Sequence, residues 1–238
     1  MSFFIFNGKN SKDFGIFERL PAMPTGTNTV TNFAVPGRVE SLYIPEIEMA
    51  DVTITGVLGL KDMSKRRDIN AWLRGSGTLQ FSDELDKEYR VNNVMIVHEY
   101  LSQRFSKVGI SFVCSPLAYS VNKEAVEITE NPSYLEVDGT YFTEPKYEIT
   151  FKSGTTAQDF VFTVNGQSVT IKLTEEHVKH TIVLDARVQK IYYSDTKQLI
   201  LPDTTGLVPY LNCGGYNSIS WNTDIVGKIA ITKNERWL

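Results

Sequence analysis

A hairpin signature in the second half of the 238-residue chain constrains its fold more than any other feature. The runs Phe160-Val-Phe-Thr-Val164 and Gln167-Ser-Val-Thr-Ile-Lys-Leu173 flank the dipeptide Asn165-Gly166. Asn-Gly in this setting predicts a type I′ turn, because that turn needs positive φ at both central residues. Apolar and polar residues alternate along the second run, as in a strand that buries one face. The sequence therefore predicts two antiparallel strands joined by a tight turn.

Strand-like runs recur along the rest of the chain. Phe3 to Phe6 is apolar and ends at a second Asn-Gly pair, Asn7-Gly8. Further strands are predicted at residues 51–56, 90–97, 108–114, 147–151, 181–185, 190–193 and 228–232. They do not alternate with helices, which favours antiparallel sheets over a doubly wound fold. Because 11% of the residues are aromatic, mostly Phe and Tyr, the chain is predicted to be mostly β.

One short helix is predicted between Ser64 and Gly75. Ser64 is of a type that caps helix N-termini, and Gly75 stands where a C-terminal glycine ends a helix. The residues with the i, i+3, i+4 spacing of a buried helical face are Ile69, Trp72 and Leu73.

The first turn of this helix is basic, with Lys65, Arg66 and Arg67 in succession. Positive charge is unfavourable near a helix N-terminus, because the macrodipole is positive there. The three side chains either form a solvated face or have partners elsewhere, on this chain or on another.

Prolines and charged residues interrupt the succession of predicted strands in the middle of the chain. Pro116, the charged stretch at residues 122–127, and Asn131-Pro132 follow one another closely. This pattern predicts a domain boundary near residues 120–130, and hence domains at residues 1–122 and 123–238.

Composition excludes some classes of function. The net charge of -4 argues against a nucleic-acid-binding surface, which requires a clustered basic excess. The longest apolar runs are far too short to cross a bilayer, and the first residues carry no basic region of a signal peptide. Cys114 and Cys213 lie far apart, so we expect two reduced, buried thiols in a protein made in a reducing cytoplasm.

Candidate catalytic groups are sparse. His177 and His180 precede a strand-like run, and on a strand their spacing places them on opposite faces, so no metal site is predicted. The segment from Ser82 to Glu88 is interpreted as an acidic turn, and such clusters are usually solvated loops. The sequence has no nucleophile elbow, phosphate-binding glycine loop or dinucleotide fingerprint. We predict neither an enzyme nor a cofactor.

Three aromatic residues near the end of the chain have two interpretations. Tyr210, Tyr216 and Trp221 lie among Asn and Gly residues. Such side chains either pack in a core and anchor loops, or stack on sugars at the surface of a β-sandwich.

An ordered set of short motifs covers nearly the whole chain. In the first half these are Phe6-Asn-Gly8, Ser11-Lys-Asp-Phe-Gly-Ile16, Val35-Pro-Gly-Arg38, Ala71-Trp-Leu-Arg74, Leu79-Gln-Phe-Ser-Asp83 running to Tyr89-Arg90, and Ser111-Phe-Val-Cys-Ser-Pro116 with Tyr119. In the second half they are Pro145, the Asn165-Gly166 hairpin, Thr181-Ile-Val-Leu-Asp185, Leu207-Val-Pro-Tyr-Leu211, Gly215-Tyr-Asn217 and Trp221. This succession resembles the distal tail proteins of long, flexible-tailed bacteriophages, often called Dit.

The resemblance implies an N-terminal β-rich domain, with one helix and a long hairpin, that assembles into a hexameric ring. It implies a C-terminal galectin-like or carbohydrate-module-like antiparallel β-sandwich outside the ring. Such rings join the tail tube protein to a tail-tip, tail-associated lysin-like protein and, in many phages, to receptor-binding or baseplate proteins, while leaving a channel for DNA. The implied location is the virion tail tip, after assembly in the cytoplasm of the bacterial host.

Two departures from the family pattern affect local turns. Relatives often continue Pro-Gly-Arg with Asp-Gly, whereas here Val39-Glu40 follows Arg38. The pair Gly214-Gly215 after Cys213 stands where relatives usually have a single glycine.

On this basis we assign residues to two roles. The structural anchors are Gly8, Gly37, Trp72, Leu73 and Gly75. The expected subunit-interface residues are the basic Lys65, Arg66 and Arg67 and the acidic Asp83, Glu84 and Asp86, whose alternating charge would set the register around a ring.

Two other functions remain as alternatives. One is a glycan-binding module that recognises the host surface through Tyr210, Tyr216 and Trp221. The other is a cell-wall hydrolase, whose turnover would depend on Asp83, Glu84, Asp86 or Glu88.

Overall fold

The chain folds into two compact units, Met1–Val121 with Leu238, and Asn122–Trp237. The computed structural model describes residues 2–33, 42–60, 62–100, 106–154, 156–200 and 203–238. Gly37, with its neighbours Val39 and Glu40, lies outside these ranges. Strands dominate both units and the named strand pairs are antiparallel, which confirms the mostly-β prediction.

The N-terminal unit contains one long sheet, a separate strand pair and a short helix. Its strands are β1 (Phe4–Phe6), β2 (Lys9–Asn10), β3 (Ile16–Phe17), β4 (Asn28–Phe33), β5 (Leu42–Met49), β6 (Val52–Leu60), β7 (Gly77–Phe81), β8 (Glu84–Tyr100) and β9 (Ser106–Ser120). The helix α1 spans Arg66–Trp72, and 3-10 turns span Ser11–Asp13 and Met63–Lys65. The long sheet has the order β2-β1-β7-β8-β9-β6-β3, while β4 pairs with β5.

The buried face of α1 completes the core of this unit. Ile69, Trp72 and Leu73 are buried, as predicted. The Trp72 ring stacks on Phe4 at 5.4 Å and on Phe14 at 4.5 Å between centroids. Its Nε1–H donates to the carbonyl oxygen of a β1 residue, Phe6, at 2.9 Å, so one side chain connects the helix to the first strand.

The predicted helix start was one residue too early. Ser64 lies inside the 3-10 turn that precedes α1, and the residue at the N-cap position, Lys65, makes no side-chain capping bond. The Asp62 carboxylate instead accepts a hydrogen bond from the Ser64 N–H at 2.9 Å. The hydrogen bond from the Ser64 side chain, and then the one from its N–H, lower the pKa of Asp62. Asp62 thus caps the 3-10 turn that precedes α1, and α1 itself has no side-chain cap.

Two glycine anchors occupy the backbone conformations expected of them. Gly8 has φ of +77° in the turn between β1 and β2, after Asn7 with φ of 49°. Gly75, just beyond α1, has φ of +85°. Side chains other than Gly and Asn are disfavoured at such angles.

The C-terminal unit contains two five-stranded sheets. Its strands are β10 (Val126–Ile128), β11 (Ser133–Val137), β12 (Lys146–Phe151), β13 (Asp159–Val164), β14 (Gln167–Lys172), β15 (Ile182–Asp185), β16 (Lys190–Tyr193), β17 (Thr204–Thr205), β18 (Gly215–Trp221), β19 (Val226–Thr232) and β20 (Arg236–Trp237), and a 3-10 turn spans His177–Lys179. The sheet orders are β10-β19-β12-β15-β16 and β11-β18-β13-β14-β17. Residues from both sheets form one core cluster, so the unit is an antiparallel β-sandwich.

The hairpin predicted around Asn165-Gly166 is present in the structure. Val164 pairs with Gln167, and the two turn residues, Asn165 and Gly166, have φ of 50° and 81°. The alternating apolar residues after the turn, Val169, Ile171 and Leu173, are all buried.

Candidate functional site

The second half of β8 presents apolar side chains on both of its faces. Val94 and Ile96 are partly buried against the core of the N-terminal unit. Met95 and Val97 point the other way and are 52% and 69% exposed. A continuous apolar run is typical of a strand that is covered on both faces. At Met95 and Val97, the outward face of β8 is therefore an exposed apolar surface of the kind that a second protein surface covers.

The neighbouring strands extend this surface without adding charge. Met95 lies opposite Ser111, and Val97 lies opposite Gly109, on the adjacent strand β9. On β6, Thr55 and Val57 continue the same two rows, because they pair with Ser111 and Gly109. We call the patch formed by Met95, Val97, Gly109, Ser111 and Val57 the outer β8 face.

A charged rim and an unpaired strand edge border the outer β8 face. Glu99 pairs with Lys107 in the next row, and the Lys107 Nζ lies 2.7 Å from Glu18 Oε1. The pairing of β7 with β8 ends at Val91, so in the described part of the chain the rest of β8 has a strand partner only in β9. Such an edge offers hydrogen-bonding groups to another chain.

The β4–β5 pair carries a second exposed apolar surface, and no other strand pairs with it among the described residues. These two strands form a sheet by themselves, and Val30 and Phe33 of β4 are 53% and 49% exposed. At its base, the Thr29 Oγ1 donates to the carbonyl oxygen of Glu48 at 3.0 Å. Because an isolated two-stranded hairpin is marginally stable in water, this pair would gain stability from a partner.

The basic residues predicted for a subunit interface lie at the start of α1. The Lys65 Nζ donates to the carbonyl oxygen of Asp13 at 2.6 Å, so this lysine has a partner on its own chain. Arg66 is partly buried, and Arg67 is exposed. The bond to Asp13 explains how a basic residue is tolerated before a helix N-terminus.

The acidic residues predicted for the interface lie at the β7–β8 connection. The interpretation of residues 82–88 as one turn was wrong, because Phe81 already pairs with Glu84 and β8 begins there. Glu84 Oε1 lies 2.6 Å from Lys87 Nζ, whereas Asp83 and Asp86 are exposed. Burial, Glu84 and Asp83 together raise the pKa of Tyr89 to about 12.

The three aromatic residues considered for glycan stacking occupy different environments. Trp221 lies on β18 in the core of the sandwich, with 8% of its surface exposed, so its ring cannot stack on a sugar. Tyr210 is partly buried, and its hydroxyl accepts a hydrogen bond from Gln189 at 3.1 Å. Tyr216 is 71% exposed. The core role is therefore the one that the structure supports for Trp221.

The histidines have structural partners. His180 Nδ1 lies 2.7 Å from Asp195 Oδ2, and its Nε2 lies 3.2 Å from Glu176 Oε1. His177 Nδ1 lies 3.1 Å from the carbonyl oxygen of Lys172. In the described ranges, no group of three or more His, Cys, Asp or Glu side chains is arranged to hold a metal ion. No helix there is long and apolar enough to cross a membrane.

The two cysteines are unpaired thiols, one of them fully buried. Cys114 has none of its surface exposed, and Cys213 is partly buried with its thiol donating to the carbonyl oxygen of Tyr141. Burial raises the pKa of Cys114 to about 12, and burial is also the main cause of the raised pKa of Cys213.

These features define a class of protein. It is a mostly-β chain with a β-sandwich unit and with apolar side chains exposed on the outer β8 face and on β4. No family model matches the sequence, and no curated protein matches it. The crystal structure of the Dit protein (gp 19.1) of SPP1 is similar over 100% of both chains, with a TM-score of 0.76 and 14% sequence identity. That protein is described as a paradigm of the hub adsorption apparatus in phages that infect Gram-positive bacteria. The predicted resemblance to Dit proteins is thus confirmed in the fold.

Proposed function

We propose that this protein is a hub of a phage or prophage tail, with a structural and not an enzymatic role. Residues 1–122 would form a closed ring of six copies around a DNA channel, and residues 123–238 would project outside it. The ring would join the tail tube protein to a tail-tip protein and to receptor-binding or baseplate proteins. It would be assembled in the host cytoplasm and reside at the virion tail tip.

The observation that carries this proposal is the outer β8 face. Met95 and Val97 stand exposed on a strand whose opposite face is already in the core. Burying them against another copy would gain about 25 cal/mol for each Å² of apolar surface removed from water. The full-length structural similarity to the SPP1 hub protein supports the same conclusion, because it gives the chain the fold of a protein that serves in such an assembly.

The charges at the start of α1 and at the β7–β8 connection would set the register of the ring. Arg67, Asp83 and Asp86 are exposed and could meet opposite charges on neighbouring copies. Such pairs would contribute to alignment more than to affinity, because exposed ion pairs contribute only about 0–1 kcal/mol each.

The proposal is tested by the mass of the purified protein in solution, measured by light scattering over a range of concentrations. We expect a six-subunit species, and ring-shaped particles in negative-stain images. The Val97→Glu variant should lose this species while keeping the circular dichroism spectrum of the native fold, because it places a charge in the outer β8 face.

The matched control is Leu207→Glu, which changes a residue that is 71% exposed in the C-terminal unit and should leave the mass unchanged. Charge reversal of Lys65, Arg66 and Arg67 together should weaken assembly without unfolding. A folded Val97→Glu variant with the assembly of the unmodified chain would refute the role of the outer β8 face.

A further inference from the structure

A cavity of about 340 Å³ opens on the C-terminal unit beside the Asn165-Gly166 turn. It lies at the small end of the roughly 300–1,000 Å³ range of ligand pockets. Its lining residues are Phe142, Asn165, Gln167, Tyr210 and Asn212. Two are aromatic, three are carboxamides and none is charged, and nothing in the proposed hub role accounts for this combination.

The aromatic rings form a corner of the cavity. Phe142 and Tyr210 meet edge to face, with centroids 5.6 Å apart and planes at 71°. Phe142 also contacts the Tyr141 ring at 4.5 Å between centroids and remains 42% exposed, so part of one apolar ring is available to a ligand. Tyr210 is held in place because the Gln189 Nε2 donates to its hydroxyl at 3.1 Å. An aromatic ring fixed beside polar groups suits a ligand with one apolar and one hydroxylated side.

Two of the three carboxamides supply hydrogen-bonding groups that no described residue uses. The side chains of Gln167 and Asn212 make no hydrogen bond within the described part of the chain, and both residues are exposed. Each amide offers two donor hydrogens and an acceptor oxygen. Adjacent hydroxyl groups on a ring, each both donor and acceptor, match that set.

A buried asparagine fixes the backbone and the third amide of the cavity. Asn217 is fully buried, and its Oδ1 accepts hydrogen bonds from Asn165 Nδ2 at 2.7 Å and from the Asn212 N–H at 2.8 Å. Its Nδ2 donates to the Asn212 carbonyl oxygen at 2.9 Å. The cavity is thus held in shape before any ligand arrives, which lowers the entropy cost of binding.

The lining of the cavity has no charged side chain, which favours a neutral ligand. Among the described residues near the cavity, the Arg236 guanidinium lies 5.0 Å from the Phe142 ring centroid, but it also pairs with Glu144 at 3.1 Å. It does not line the cavity, so the lining itself holds no cation that would compensate an anionic ligand. An uncharged lining of rings and amides is complementary to a neutral polyhydroxylated ring.

We infer that this cavity binds one neutral pyranose unit of a polysaccharide. The sugar places its C–H face on Phe142 and directs its hydroxyl groups to Gln167 and Asn212. The inference differs from the glycan alternative raised by the sequence, because Trp221 is in the core and Tyr216 does not line the cavity. It goes beyond the hub role and does not depend on ring assembly.

The test is saturation-transfer NMR of the full chain with maltotriose, lactose and chitotriose as neutral probes and polyglycerol phosphate as an anionic probe, followed by calorimetric titration of any binder. We expect saturable binding of at least one neutral probe in the millimolar range or tighter, and none of polyglycerol phosphate. The Gln167→Ala and Asn212→Ala variants should each weaken binding by about tenfold, because each leaves a sugar hydroxyl without its partner.

Two variants serve as controls. Gln198→Ala removes an exposed amide, and Tyr134→Ala removes a ring that is 70% exposed, both in the same unit and neither lining the cavity. Neither should change binding. No saturable binding of any neutral probe, equal losses in the controls, or preferred binding of the anionic polymer would each overturn the inference. Ring mass, measured on the same samples, separates this outcome from failure of the hub proposal.

Discussion

A single side chain, Trp72, connects three parts of the N-terminal unit. Its ring stacks on Phe4 and on Phe14, and its Nε1–H donates to the carbonyl oxygen of Phe6. The sequence predicted the burial of Trp72 from helical spacing. It could not predict the hydrogen bond, because the acceptor lies 66 residues earlier in the chain and is brought near only by the tertiary fold.

We expect Trp72→Phe to lower the free energy of unfolding by about 0.5–1.5 kcal/mol more than Trp221→Phe does. Both changes reduce a buried ring by a similar volume, but only the first removes a side-chain hydrogen bond to a buried carbonyl oxygen. In the described part of the chain, the Trp221 indole nitrogen has no hydrogen-bond acceptor. Urea unfolding of the two variants measures the difference, and equal losses would show that the hydrogen bond contributes nothing.

His180 gives the C-terminal unit a dependence on pH. Its two ring nitrogens face the carboxylates of Glu176 and Asp195, and hydrogen bonds to these groups raise the pKa of His180. The folded state therefore binds the proton more tightly than the unfolded state does. The stabilisation is complete below the unfolded pKa of about 6.5 and is lost as the pH rises through the folded pKa.

The urea midpoint of the unmodified chain should therefore exceed that of His180→Gln at pH 5.5 by more than it does at pH 8.5. His98 is the internal contrast, because burial and the nearby Arg66 lower its pKa. The difference between the unmodified chain and His98→Gln should change with pH in the opposite direction. A His180→Gln difference that is constant over this range would contradict the assignment.

At the scale of elements, alternation and turn chemistry predicted many of the strands, but polar β4 was missed, and so were β11 and β18, which each bury one face. The β13–β14 hairpin follows its predicted range, and the other predicted ranges overlap strands, although β8 and β9 are much longer than predicted. β4, with the sequence Asn-Thr-Val-Thr-Asn-Phe, has no apolar alternation to indicate it. The start of β8 was interpreted as a loop because it is rich in carboxylates. It is a strand because it pairs with β7 and β9.

The turn between β13 and β14 depends on backbone conformation alone, and Gly166→Ala tests this. Gly166 has φ of +81°, and an added Cβ would meet no atom within 4 Å, so any loss reflects left-handed strain and not a clash. We expect a loss of about 1–2 kcal/mol in the free energy of unfolding.

Gly215→Ala is the matched control for the Gly166 variant. An added Cβ there also meets nothing within 4 Å, but φ lies outside the left-handed region. Its effect should stay within about 0.5 kcal/mol. Equal losses in thermal or urea unfolding would mean that the angle at Gly166 is not what the turn requires.

At the scale of the whole molecule, each unit has its own core, and the order of motifs predicted the shared fold better than any single motif did. The fold of SPP1 Dit persists at 14% identity because a core needs only residues of suitable polarity and size at each position. The apolar outer β8 face was visible in the sequence only as a short run, Val94 to Val97. Whether such a run is covered inside the monomer or left at the surface depends on the packing of the sheet.

Residues 123–238, produced alone, should fold as a monomer with a cooperative thermal transition. The reason is that its two sheets share one core, which contains Tyr147, Phe160 and Phe162 without any exposed surface. Circular dichroism and light scattering check this expectation. A segment that shows no cooperative transition would require support from residues 1–122 and would contradict the proposed division of roles.

The state of the two thiols has a practical consequence for labelling chemistry. Maleimides react with accessible thiolates, and Cys114 is fully buried with its pKa raised to about 12, so it should not react at neutral pH. Cys213 is only partly buried, so it is the one native cysteine to replace before a fluorophore is attached elsewhere. A dye on a Val30→Cys variant would follow the surroundings of β4 during tail assembly with little background from the rest of the chain.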